Sequence, residues 1–121
     1  MSEQRIALVV DDHPTNRLLA SALLKKLGWR VIEADNGEVA LTLAGQHEVR
    51  LVLLDISMPG LSGEETCLRL RANHNGQTLH IFAYTAHAFP EDHQRLMTSG
   101  FDGILVKPIN RQRFEELVAN I

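Results

Sequence analysis

Cysteine occurs once in the chain, at Cys67, so no internal disulfide can staple the fold and stability has to come from a packed core. Apolar runs are short, far below the roughly 20 residues of a membrane-spanning helix, and no secretory leader pattern opens the chain. Proline appears four times and aromatic residues make up only 5% of the sequence, without any low-complexity tract, which excludes fibrous and disordered classes. Basic residues are scattered and the formal net charge is -3, so the chain carries no electrostatic footprint for nucleic acid or an anionic membrane. These absences place the protein in the cytoplasm, with no nucleic-acid or membrane contact of its own.

What remains is ordinary globular material: 121 residues, 45% apolar and 22% charged, the size of one domain. Five apolar, β-branched stretches read as strands: "RIALVV" (5–10), "RVIEA" (30–34), "RLVLLD" (50–55), "LHIFAY" (79–84) and "GILV" (103–106). Two of them, "IALVV" and "LVLL", are apolar without alternation, the mark of a parallel strand buried on both faces. Helical spacing fills the gaps. Leu19, Ala22, Leu23 and Leu27 share a face after Pro14 and before Gly28; Val39, Ala40, Leu43 and Ala44 share one in a helix from Gly37 to about Gly45. Thr66, Cys67 and Leu70 do so from Gly63 to about Ala72, where "NHNG" (73–76) reads as a loop exit. A fourth helix spans Pro90 to Gly100, and a last one aligns Phe114, Leu117, Val118 and Ile121. Five strands alternating with five helices predict an α/β, doubly wound parallel sheet.

In such a sheet the strand ends converge on one edge, where ligands bind. That edge collects Asp11 and Asp12 from the first strand, Asp55 from the third, Thr85 from the fourth and Lys107 from the fifth. Three carboxylates in one partly dry cleft repel each other and call for a cation. An oxygen-only donor set with no required histidine or cysteine selects a hard ion that keeps its waters, Mg²⁺ above Ca²⁺. Asp55, in "LLDISMPGLSG", follows a buried strand and precedes a turn-rich loop, so it is a fixed carboxylate beside a metal, suited to attack phosphorus. Lys107 and Thr85 can neutralise and bind phosphoryl oxygens.

The succession of an acidic pair, "D" followed by "MPG", "T-A" at Thr85–Ala86 and "K-P" at Lys107–Pro108 resembles the receiver domain of two-component response regulators over essentially the whole chain, 4–121. The wording "VDDHPTNR" and "GFDGILVKPI" is similar to receivers of hybrid sensor histidine kinases. The resemblance implies a five-stranded, flavodoxin-like sheet of order 2-1-3-4-5. It implies that Asp55 accepts a phosphoryl group from phosphohistidine and that Asp11, Asp12, Asp55 and the backbone carbonyl of Ser57 hold Mg²⁺. It further implies that Thr85 and Lys107 contact the phosphoryl group, across from a cis Lys107–Pro108 bond. Partners would be a kinase dimerisation domain or a histidine phosphotransfer domain, and the chain would be no enzyme beyond its own phosphorylation and dephosphorylation.

Some positions depart from that pattern. Ile104 stands where receivers commonly carry an aromatic switch residue, and Tyr84 is expected to pack. Ser57 and His87, two residues beyond the aspartate and the threonine, carry no negative charge to repel a phosphoryl group, and His87 is expected to cover the site. Singly, Asp12 could be a helix N-cap, Asp11 or Asp55 a turn residue and Lys107 a snorkelling cation; those readings do not explain why all converge. The histidines show no HxxxH or HxH spacing and read as solvated, Cys67 reads as core filler, and Trp29 packs at the sheet edge. Competing functions are a stand-alone regulator that binds a partner directly, a small aspartyl-nucleophile phosphatase, a flavodoxin-like cofactor binder and a non-phosphorylated docking module. The phosphatase would need a "DxD" after strand one, and the cofactor binder a phosphate loop there; "VVDDHP" is neither.

Overall fold

The computed structural model describes residues 5–73, 79–86 and 89–119. Strands β1 (Ile6–Val10), β2 (Arg30–Ala34), β3 (Val49–Leu54), β4 (His80–Thr85) and β5 (Gly103–Val106) alternate with helices α1 (Pro14–Lys26), α2 (Gly37–Gln46), α3 (Gly63–Asn73), α4 (Pro90–Thr98) and α5 (Arg111–Ala119). The sheet is parallel throughout and ordered β2-β1-β3-β4-β5. The expected strands fall within one residue of these bounds. The loop exit at 74–76 and Ile121 lie outside the described residues.

Side-chain alternation along the central strands sorts the core into two layers, one per sheet face. Ala7, Val9, Leu51, Leu53, Phe82 and Tyr84 point to the side that Ala20 and Leu24 of α1 and Phe114 of α5 cover. Leu8, Val10, Val52, Leu54, Ile81 and Ala83 point to the other, under Ala40 of α2, Cys67 and Leu70 of α3 and Leu96 of α4. Both faces are therefore dry, which is why these strands read as unbroken apolar runs. Tyr84 and Cys67 are fully buried filler, and Trp29 joins the first layer with the Arg5 guanidinium 4.3 Å above its ring.

Two helix faces differ from the sequence expectation. On α1 the buried residues are Ala20, Ser21 and Leu24, with Leu23 and Leu27 half-buried, while Leu19 is 45% exposed and Ala22 faces solvent. Apolar residues occupy nearly the whole circumference of that helix, so spacing alone does not choose a face; the small Ala20 and Ser21 let the backbone approach the sheet. On α2, Val39 faces solvent and Ala40 the core.

Helix ends show clear local causes. Asn36 Oδ1 accepts from Val39 N at 2.8 Å, opening α2. Both α1 and α4 close on a left-handed glycine, Gly28 (φ 96°) and Gly100 (φ 107°). In each case the following aromatic N–H reaches back, Trp29 to Leu24 O at 3.0 Å and Phe101 to Leu96 O at 3.2 Å. Asp12 is not the cap of α1. That position belongs to His13, whose side chain makes no capping bond and whose N–H donates to Asp11 Oδ1.

Candidate functional site

Each side chain expected at the site arrives at the same edge of the sheet through a strand's carboxyl end. Asp11 follows β1, and its N–H donates to Ala34 O at 3.1 Å; Asp55 follows β3, and its N–H donates to Val10 O at 2.9 Å. Thr85 closes β4, and its carbonyl accepts from Lys107 N at 2.7 Å. The backbone ladder thus runs on past the strands and fixes where these residues start. Asp11, Asp55 and Thr85 are buried, while the Asp12 side chain is 29% exposed at the rim.

Lys107 is turned inward, its side chain only 11% exposed, with a cis bond to Pro108. Its Nζ stands 2.7 Å from Asp11 Oδ2 and 3.3 Å from Asp55 Oδ2, and 5.2 Å from the centre of the Tyr84 ring. The two buried carboxylates therefore share one ammonium. The remaining oxygens are held by backbone: Asp11 Oδ1 accepts from His13 N at 2.8 Å, and Asp55 Oδ1 from Ser57 N at 2.9 Å. Asp11 Oδ2 and Asp12 Oδ1 are screened from solvent without a well-directed hydrogen bond.

These surroundings pull the Asp55 carboxyl both ways, and burial is the stronger influence, pushing it above its ordinary value. The Ser57 N–H and the Lys107 ammonium oppose that push, and the Asp11 charge adds to it. Burial also raises the Tyr84 phenol, to about 12. A carboxylate in this position is incompletely compensated and gains from any further positive charge or from forming an ester-like bond that removes its charge.

Three neighbours of the expected residues have contacts at the site that the sequence pattern does not show. Arg17 donates through Nη1 to the Asp11 carbonyl at 2.8 Å and lies 3.3 Å from Glu33 Oε1, tying α1 and β2 to the acidic turn. Its spacing, six residues after Asp11, was the available signal. Gly63 begins α3 against the loop that follows Asp55; a Cβ there would stand 2.4 Å from Asp55 O and 2.6 Å from Ile56 Cα, so no larger residue fits without moving that backbone. His13, expected to be solvated, is exposed as expected, yet its imidazole can gather with Asp11 and Asp12 around one point; Asp55 is not part of that group of three. Ile104 is half-buried against the core, and His87 lies outside the described residues.

Comparison with known proteins agrees with this geometry. A family model described as "Response regulator receiver domain" matches residues 7–119. The chain is 45% identical over 121 residues to the virulence sensor protein BvgS of Bordetella pertussis, covering 93% of this chain and 10% of that protein. It is 37% identical over 114 residues to the sensor histidine kinase GacS of Pseudomonas protegens, covering 92% and 12%. It therefore spans about a tenth of the length of these curated relatives. Among solved structures, the chemotaxis protein CheY4 of Vibrio cholerae superposes with a TM-score of 0.90 at 27% identity, covering 98% of this chain and 99% of that one. The receiver domain of sensor histidine kinase PA1611 from Pseudomonas aeruginosa, described with a magnesium ion in its active-site cleft, gives 0.85 at 29% identity, covering 98% and 97%.

Proposed function

The chain belongs to the response regulator receiver domain family, and on that premise we propose that Asp55 is the residue that accepts a phosphoryl group from a phosphohistidine. The observation that carries the assignment is the shared ammonium: Asp55 is one of the two buried carboxylates on Lys107, 3.3 Å from its Nζ, and burial pushes its carboxyl above the ordinary value in spite of that partner. In the transfer, a carboxylate oxygen of Asp55 forms a bond to phosphorus as the phosphorus–nitrogen bond of the donor breaks. The electron pair of that bond stays on the donor nitrogen, which leaves as imidazole. Lys107 and Thr85 meet the phosphoryl oxygens, the ammonium by charge and the hydroxyl by donating a hydrogen bond.

The donor set suits Mg²⁺. Asp11, Asp12, Asp55 and the Ser57 carbonyl offer hard oxygens, and the screened Asp12 Oδ1 has no hydrogen bond to lose. When bound, the ion neutralises charge on the phosphoryl group. Without it, Lys107 holds Asp11 and Asp55 apart from mutual repulsion. Residues 4–121 then act as one receiver unit, whose catalysis is confined to its own phosphorylation and dephosphorylation.

Phosphorylation replaces the Asp55 carboxylate with a doubly charged acyl phosphate and draws Thr85 toward it, shifting the face of α4, β5 and α5. That face carries a groove of about 880 Å³ whose lining includes Phe89, Met97, Ile104, Val106 and Leu117. Moving a population from mostly inactive to mostly active takes about 5.5 kcal/mol of differential stabilisation, a figure that charge-assisted contacts to one phosphoryl group approach and that a partner on that face completes. The sensor-kinase relatives favour a receiver of a hybrid sensor histidine kinase, exchanging phosphate with a kinase dimerisation domain or a histidine phosphotransfer domain on the cytoplasmic side. No helix among the described residues is long and apolar enough to cross a membrane.

Incubation with Mg²⁺ and acetyl phosphate, followed by intact-mass measurement, tests the acceptor. The chain gains one phosphoryl group and Asp55→Asn gains none; a variant that is still phosphorylated removes Asp55 from the role.

A further inference from the structure

We propose that His13 joins Asp11 and Asp12 in a nitrogen-containing site for a borderline divalent cation of the Zn²⁺ class, an ion that then competes with Mg²⁺ for the same acidic turn. The inference rests on the reading that this turn holds cations, and adds to it a ligand, a second ion and a choice between the two. Ligand atoms of Asp11, Asp12 and His13 all lie within 4.8 Å of one another. His13 Nδ1 is 3.4 Å from Asp12 Oδ1, and that oxygen is screened from water yet makes no hydrogen bond, with the imidazole or with anything else. Two ligands bound to one zinc ion at about 2.0–2.1 Å stand roughly 3.4 Å apart across a tetrahedral angle, so the spacing that pairs the ring with this carboxylate also lets both take one ion without moving.

The chemistry of the ring sets the selectivity. Imidazole nitrogen is a good ligand for zinc and its neighbours in the transition series and a poor one for Mg²⁺, which takes oxygen and keeps its waters. The His13 side chain is 72% exposed and makes no capping bond to α1, so helix capping does not require an imidazole there. Its backbone N–H, by contrast, is committed to Asp11 Oδ1 at 2.8 Å, which keeps the ring beside the acidic pair whatever the ring itself does. A zinc ion bound this way uses Asp11 and Asp12 and leaves Asp55 out, because Asp55 does not belong to the three-residue group. Zinc and phosphotransfer would therefore draw on overlapping but unequal parts of the site.

Isothermal titration of the metal-free chain, with Zn²⁺ alone and with Mg²⁺ alone, tests this on the parent, His13→Ala and Asp12→Asn. The expected result is that His13→Ala weakens Zn²⁺ binding at least about tenfold, since the loss of even an outer-shell partner of a metal ligand costs that much, and leaves the Mg²⁺ dissociation constant within about twofold, while Asp12→Asn weakens both. Equal Zn²⁺ affinity in the parent and His13→Ala, or no stoichiometric Zn²⁺ binding by the parent, overturns the proposal; so does Zn²⁺ binding that survives both substitutions, which places the ion on another histidine. Failure of the parent to bind Mg²⁺ is a separate outcome that strikes the cation reading of the turn itself. Thermal melts of the metal-free proteins keep the comparison fair, since replacing an exposed ring without a capping role leaves the melting temperature unchanged.

Discussion

Two buried carboxylates, those of Asp11 and Asp55, share the Lys107 ammonium, and in the absence of a divalent ion their charges outnumber it. Burial pushes the Asp55 carboxyl above its usual range, and the charge on Asp11 pushes the same way. Asp55→Asn keeps the shape, removes one of two like charges and leaves a matched Asp11–Lys107 pair. Lys107→Met removes the only cation either carboxylate has within ion-pair distance among the described residues. In urea titrations without divalent ions, Asp55→Asn is therefore expected to unfold at or above the parent's midpoint. Lys107→Met should lose about 1–3 kcal/mol, the scale of leaving a buried charge without its partner. The reverse order would mean that the ammonium does not offset the acidic cluster. All the residues of this arrangement were legible in the sequence as polar groups at the ends of apolar strands. The sharing of one ammonium was not, because it depends on where a lysine from the fifth strand lands relative to the first and third.

Helix α1 shows where reading an element from spacing fails. Leu18, Leu19, Ala20, Ala22, Leu23, Leu24 and Leu27 leave several apolar faces open, and the one that meets the sheet is set by Ala20 and Leu24, not by Leu19 and Ala22. Leu18 and Leu19 are left 66% and 45% exposed. Leu24→Ala is expected to cost about 2–4 kcal/mol in chemical denaturation, as a buried leucine truncated in a tight core does, and Leu19→Ala less than about 0.5. Similar costs for the two would return α1 to the face its spacing first suggested. Helix α3 buries the face its spacing predicts, Thr66, Cys67 and Leu70, and leaves Leu68 51% exposed on another side. The close seat of Gly63 on the Asp55–Ile56 backbone was invisible in the sequence, because a glycine at a helix start also reads as a plain boundary.

On the scale of the whole molecule, two layers of core enclose groups whose protons the fold retains at high pH. Burial pushes the Cys67 thiol up to about 11 from its ordinary 9.0, and the Tyr84 phenol to about 12. Above about pH 9 the unfolded chain releases the thiol proton while the folded chain keeps it, so the native state binds more protons and stability falls as pH rises. The thiol's share of that loss runs from about pH 9 to about pH 11, and the phenol's continues beyond it. Cys67→Ala should flatten the first part of this alkaline limb in denaturation midpoints measured across that range, and an unchanged slope would show that the thiol ionises as freely folded as unfolded. The α/β class, the alternation of elements and the convergence of Asp11, Asp55, Thr85 and Lys107 on one edge follow from the chain's own pattern, because unbroken apolar strands can be buried only inside a helix-covered parallel sheet and their polar ends must then meet at one edge. The packed face of α1, the partnership of Lys107 with two carboxylates and the gathering of His13 with the acidic pair were settled by the tertiary structure. Each depends on distances between residues far apart in sequence or on a turn whose direction side-chain pattern does not encode.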